Sequence, residues 1–246
     1  MNDRTELGLI DVPKSCDMLA ARLRNQILSG NLIAGQQLPS ERDLMEQTGI
    51  SRNAVREALR ILETEGLVTT KLGRYGGSFV CQPTDEMFAR YLTIFSRSHS
   101  IPLKSLVQAR QALEPQVALL ATINRTEEDL SELSAAIKQL EKTEDPASFL
   151  DMNIRCHLLI AKASGNQLLQ VFLSSLSGLI RDVAGEMEDV MVSSVRKDVL
   201  RFHQQIFDAI KRQDTEAAVR RMTRHIQAYE QRLATVLTDD KSKVSA

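Results

Sequence analysis

No stretch of the 246 residues approaches the roughly 20 consecutive apolar residues that a membrane-spanning helix requires. The opening MNDRTELGLIDVPK lacks the basic-then-apolar order of a secretion signal, so a cytoplasmic protein with no membrane partner is expected. Cysteine is scarce. Cys16, Cys81 and Cys156 are odd in number and lack C-x-x-C spacing, which excludes a disulfide framework or zinc knuckle and reads each as a small core residue. Charge of either sign is not in excess: 31 basic against 32 acidic residues give −1, and residues 1 to 83 hold ten of each. Composition therefore gives no pointer to nucleic acid, and any such signal must come from where charges sit on a surface.

What is present is length enough for two domains and two contrasting patterns. In SCDMLAARLRNQILS (15–29) Met18, Leu19, Leu23, Ile27 and Leu28 recur at helical spacing before Gly30. Ser40 with Asp43 resembles a shortened capping box opening a helix through about Gln47, and Gly49 forces a turn. Ser51 can cap a helix from Arg52 to Glu65, whose Val55, Ala58, Leu59 and Leu62 form one inward face before Gly66. Leu67–Lys71 and Ser78–Val80 read as strands joined by the glycine-rich LGRYGG. Helix, helix, turn, helix, hairpin is winged helix-turn-helix order, assigned to residues 1–83. Residues 84–102 read as a partly helical connector because of the polar SRSHS before Pro102. Helical periodicity then fills segments near 103–124, 127–142, 146–163, 167–191, 194–212 and 215–237, without strand pattern or repeat. Residues 103–240 are accordingly an all-α bundle, and the fold class is mainly α.

On the third helix, steps of about 100° per residue put Arg52, Arg56 and Arg60 within a stripe about 80° wide, with Asn53 beside it and the apolar residues opposite. Arg52 and Asn53, in the first turn, suit the major groove, where arginine grips guanine bidentately and asparagine reads adenine. An arginine in a first turn opposes the helix dipole by several tenths of a kcal/mol, as if placed for something outside the helix. Arg56 and Arg60 suit phosphates, and Arg42, Lys71 and Arg74 are placed to reach backbone or minor groove. The alternative is a merely solvated face with Arg60 paired to Glu57 or Glu63; the preceding turn and following wing favour DNA.

The stretch LPSERDLMEQTGISRNAVREALRILETEGLVTTKLGRYGGSFV resembles the N-terminal domain of the GntR superfamily of bacterial transcription regulators. That resemblance implies operator contacts at Arg42, Arg52, Asn53, Arg56 and the wing glycine Gly73, with Ser51 and Arg74 completing the expected set. The family's wing is often a shorter GRGTFV, where GRYGGSFV stands here.

Of four histidines, three fall in the helical domain on separate helices, each on an apolar stripe: His157 between Ile154 and Ile160, His203 between Val199 and Ile206, His225 between Met222 and Tyr229. Three inward imidazoles can converge on a metal, and Asn153, four residues before His157, can supply an oxygen. The other reading is a set of hydrogen-bonded core histidines, and residue pattern leaves the two open. Asp151 lies about 200° around the helix from Asn153, and Cys156 points about 100° away from His157, so neither is given a ligand role. His99, in the connector, is expected to be exposed.

QARQALEPQVALLA, NIRCHLLIAKASGN, FHQQIFDAIKRQD and AAVRRMTRHI resemble the ligand-binding domain of the FadR-like branch, making the bundle FCD-like. The resemblance implies a divalent metal, zinc with nickel or manganese as alternatives, held by His157, His203 and His225. Asn153 occupies the place of the branch's aspartate; a neutral amide is a poorer partner for a dication, so weaker affinity or a changed metal preference follows. It also implies that Arg110, of an R-x-x-x-E pattern, faces the effector cavity, where a guanidinium suits a carboxylate; the alternative is an internal Arg110–Glu114 pair. The expected molecule is a homodimeric repressor on a palindromic double-stranded operator, controlled by an organic or sugar acid. The competing readings are a metal-free regulator with structural histidines and a metal-dependent enzyme.

Overall fold

The computed structural model describes residues 13–73, 76–184 and 186–244, with backbone alone for 183–184, 186–195 and 233–244. The chain divides between Met87 and Phe88 into two compact units.

The first unit holds α1 (Ser15–Leu28), α2 (Glu41–Thr48), α3 (Arg52–Thr64), β1 (Val68–Lys71) and β2 (Gly77–Val80). Local chemistry sets the boundaries. Ser40 accepts from the Asp43 N–H while the Asp43 carboxylate accepts from the Ser40 N–H, so the shorter acid still closes the capping box. Gly49 follows with φ +72°, the left-handed conformation that lets the chain turn between α2 and α3 without a Cβ clash. Ser51 then caps α3, accepting from the Ala54 N–H at 3.3 Å. Val55, Ala58, Leu59 and Leu62 are buried, as their spacing predicts, against Leu19 and Leu23 of α1 and Val68 of β1. β1 and β2 pair antiparallel from Val68↔Val80 to Lys71↔Gly77. Residues 36–38 add to this hairpin, the Leu38 N–H donating to Ser78 O and the Val80 N–H to Gln36 O, both at 2.8 Å. NLIAGQQLP contains no alternating run that would announce the pairing.

The helices that follow are α4 (Asp85–Ser98), α5 (Leu103–Asn124), α6 (Glu127–Lys142), α7 (Pro146–Ala163), α8 (Gln167–Ala184), α9 (Glu186–Lys211) and α10 (Thr215–Val244). Two differ from the sequence reading. The polar Ser96 to Ser98, read as connector, continue α4: Phe88 and Leu92, one turn apart, give this helix an apolar face, and Phe88 meets Phe172 edge-on with ring centroids 5.0 Å apart. The break expected at 191–194 is absent: Ser193 and Ser194 sit within α9. Serine costs a helix interior only about half a kcal/mol, too little to end a helix anchored elsewhere.

α5 runs through the bundle against α7, α8, α9 and α10. Its Val117, Ala118 and Ala121 join Phe149 and Ile160 of α7, Ile206 and Ile210 of α9, and Met222 and Ile226 of α10 in one core. Among the described residues no helix is long and apolar enough to cross a membrane.

Candidate functional site

α3 carries the arginine stripe on its outer face. Arg52, Asn53, Arg56 and Arg60 are exposed while the opposite face is buried. The guanidiniums are only loosely engaged: Arg56 Nε lies 3.4 Å from Glu41 Oε1 and Arg60 Nη1 3.8 Å from Glu57 Oε2. Arg42, on α2, pairs with Glu46 at 2.9 Å with its side chain 81% exposed. Exposed pairs of this kind contribute about 0–1 kcal/mol and exchange readily for phosphate. The Thr70 N–H donates to Glu63 Oε1 at 3.2 Å, tying the wing to α3. Gly73 has φ +107°, strained for other residues, at the tip of the hairpin; Arg74 lies outside the described residues. Ser51 is exposed and carries the N-cap described above.

In the second unit the three histidines meet. His157 of α7, His203 of α9 and His225 of α10 are buried, with ring centroids 4.9–5.1 Å apart and one ligand nitrogen from each within 4.8 Å of the others. His203 Nε2–H donates to Asn153 Oδ1 at 2.7 Å, and Nε2 of His225 and His157 lie 3.1 Å apart. Burial pushes His203 and His225 well below the usual histidine range, and the neighbouring His157 and Arg110 push the same way. Their imidazoles are therefore neutral, the form that ligates a metal.

Glu114 stands behind this cluster and was not singled out as a site residue from the sequence. Its Oε2 lies 2.6 Å from His157 Nδ1, a close contact without hydrogen-bond alignment, and its Oε1 accepts from Arg110 Nε at 2.5 Å. Burial alone would raise its pKa; the Arg110 guanidinium and His157 outweigh that and hold the carboxyl far below the usual range. A buried carboxylate there favours the proton on Nδ1 of His157 and leaves the Nε2 lone pair facing the other histidines. The R-x-x-x-E spacing carried the signal for the Arg110–Glu114 pair; that Glu114 also reaches His157 depends on how α5 packs on α7.

Arg110 thus makes the internal pair and also lines a cavity of about 30 Å³ with Asn153, His157, His225, Tyr229 and Arg232. Its guanidinium carbon is 5.6 Å from the Tyr229 ring centre. The cavity has room for about one ion or water molecule. Asp151 is exposed and pairs with Arg181, away from the cluster. Cys156 is in the core, its thiol pushed up to about 12 by burial and so kept protonated. His99 is exposed and stacks on Phe95, 4.3 Å between centroids.

The donor set fits a divalent cation: three buried imidazoles, an amide oxygen beside them and a carboxylate backing one ring. His203 Nδ1 has no hydrogen-bond partner among the described residues, so it can take the proton that Nε2 would release to a metal.

Residues 16–80 match the model of "Bacterial regulatory proteins, gntR family" and residues 105–228 that of the "FCD domain". The Uxu operon transcriptional regulator of Escherichia coli (strain K12) is 32% identical over 230 residues, covering 87% of this chain and 85% of that protein. The galactonate operon transcriptional repressor of the same organism is 30% identical over 210 residues, covering 82% and 89%. The HTH-type transcriptional regulator LutR of Bacillus subtilis (strain 168) is 30% identical over 204 residues, covering 81% and 92%. Among solved structures, "Streptococcus agalactiae GntR" superposes with a TM-score of 0.66 at 24% identity, covering 88% of this chain and 99% of that one, a likeness of fold. These matches overturn the enzyme alternative, since the family and its relatives regulate transcription. A winged helix with a basic outer stripe, followed by an FCD helical bundle, places this chain in the gntR family of bacterial regulatory proteins, as a DNA-binding transcription regulator.

Proposed function

We propose that this regulator is a homodimeric, metabolite-responsive repressor whose helical domain senses a small organic or sugar acid at a divalent-metal centre. The observation that carries the reading is the convergence of three buried imidazoles within 4.8 Å beside Arg110. His157, His203 and His225 would hold the ion, with Asn153 as an amide-oxygen partner in place of a carboxylate. A bound dication supplies positive charge and coordination positions for an effector carboxylate. Arg110, locked by Glu114 and lining the same cavity, adds a guanidinium for that carboxylate. At about 30 Å³ the cavity is smaller than a hydroxy acid, so effector binding requires Tyr229, Arg232 or their neighbours to move. Such a rearrangement is what an effector needs in order to favour one state of the regulator over another. That the 30% identical relative is the galactonate operon transcriptional repressor supports the sign and the effector class.

At the DNA, Arg52 and Asn53 read base edges, and Arg42, Ser51, Arg56, Gly73 and Arg74 hold phosphates, two copies occupying a palindrome. A second reading, a metal-free cluster, draws on the His203–Asn153 and His225–His157 contacts, which give these rings partners without an ion. Elemental analysis of protein purified without chelator separates the two. We expect about one dication per chain, lost in His157→Ala together with His203→Ala, and operator release by a hydroxy or sugar acid only in the metal-loaded protein. Metal-free wild-type protein that still responds to the acid would sink the metal reading.

A further inference from the structure

On the bundle surface, α9 and α10 enclose a groove of about 510 Å³, lined by Arg201, Phe202, Gln205, Arg220, Arg221 and Arg224. This volume lies in the range of small-molecule sites, about 300–1,000 Å³. Four guanidiniums share it. Asp198, which pairs with Arg201 at 2.8 Å, is also engaged by Arg232 at 3.0 Å. Arg221 donates to the backbone carbonyl of Gln205 at 2.5 Å, which spans the two helices without neutralising its charge. Arg220 and Arg224, both exposed, have no carboxylate partner among the described residues. They stand at i and i+4 on α10, where like charges repel by about 0.2–0.5 kcal/mol. Three positive charges without carboxylates therefore converge on one concavity, at a cost to the free protein that an anion would offset.

We propose that this groove is a second anion site, distinct from the histidine cavity, which takes a small metabolite through a pyrophosphate-type group. A pyrophosphate carries about three negative charges at neutral pH and presents several oxygens to forked donors, matching three guanidiniums better than a single carboxylate does. The concavity argues against duplex DNA, a convex rod that needs cations spread along a surface. The floor of the groove reaches the other site: the Phe202 ring lies 5.6 Å from the Arg201 guanidinium carbon on one side and 5.4 Å from the His225 ring on the other.

The test is calorimetric titration of the full-length, metal-stripped protein with inorganic pyrophosphate at about 0.15 M salt, where nonspecific surface attraction is screened. Saturable binding of one pyrophosphate per chain is expected, weakened about tenfold or more in Arg220→Ala/Arg224→Ala and retained in His157→Ala. Both arginines are exposed and unpaired, so the double variant should keep the wild-type melting temperature. In wild-type protein, pyrophosphate should also shield Arg220 and Arg224 from phenylglyoxal, read by peptide mass mapping. Absence of saturation, affinity unchanged in the double variant, or loss in His157→Ala would overturn the proposal. So would random duplex DNA binding that depends on these two arginines while pyrophosphate fails to saturate.

Discussion

At Glu114, a carboxylate only 1% exposed keeps its charge because Arg110 and His157 face it. Removing one partner of such a buried set leaves the other charge uncompensated, which costs about 3–5 kcal/mol. Glu114→Gln should therefore lower the chemical-denaturation midpoint of the helical domain sharply, and a midpoint near wild type would show that Arg110 finds water or another acceptor. The histidines give a pH dependence. His203 and His225 titrate well below 6.5 when folded and near 6.5 when unfolded, so as pH falls the unfolded chain takes up protons first. Stability of metal-stripped protein should be full above 6.5 and decline below it, by up to about 1.4 kcal/mol per pH unit for each histidine. Glu114, lowered from 4.5, extends the loss below that value. Equal denaturation midpoints at neutral and mildly acidic pH would contradict the neutral, buried state of these rings. Asn153→Asp should tighten metal binding by adding a carboxylate next to His203, read by competition with a metal indicator.

Within α3, the Ser51 cap serves folding and the outer stripe is the proposed reading surface. Ser51→Ala removes the hydroxyl that accepts from Ala54 and should destabilise the winged domain by about 1 kcal/mol. Arg52→Ala should cost about 1–3 kcal/mol for the correct operator while leaving random-sequence affinity nearly intact. Arg42→Ala should instead weaken all sequences alike and reduce the slope of log affinity against log salt by about one. Parallel titrations of operator and scrambled duplexes distinguish these outcomes, and an Arg52→Ala protein that keeps its specificity would remove Arg52 from base reading. The caps at Ser40, Ser51, Thr126 and Asp145 are visible in sequence because a cap joins residues three apart. The persistence of α4 through SRS is not, since packing of Phe88 and Leu92 on the bundle decides it.

For the whole molecule, two compact units predict that metal acts on one of them. Calorimetry of metal-loaded protein should show the helical domain melting higher than after chelation, by about 3 kcal/mol at a hundredfold excess of metal over its dissociation constant. The winged-helix transition should not move; a shift of both together would mean that the units unfold as one. The sequence by itself determined the order of elements, the buried face of α3 and its exposed arginines, because helical period and capping are local. It also placed three histidines on three apolar stripes. Only the tertiary structure decided that those stripes meet, that Glu114 backs His157 from a helix about 40 residues earlier, and that residues 36–38 join the wing. Those contacts join distant parts of the chain, and no local periodicity encodes which helix faces which.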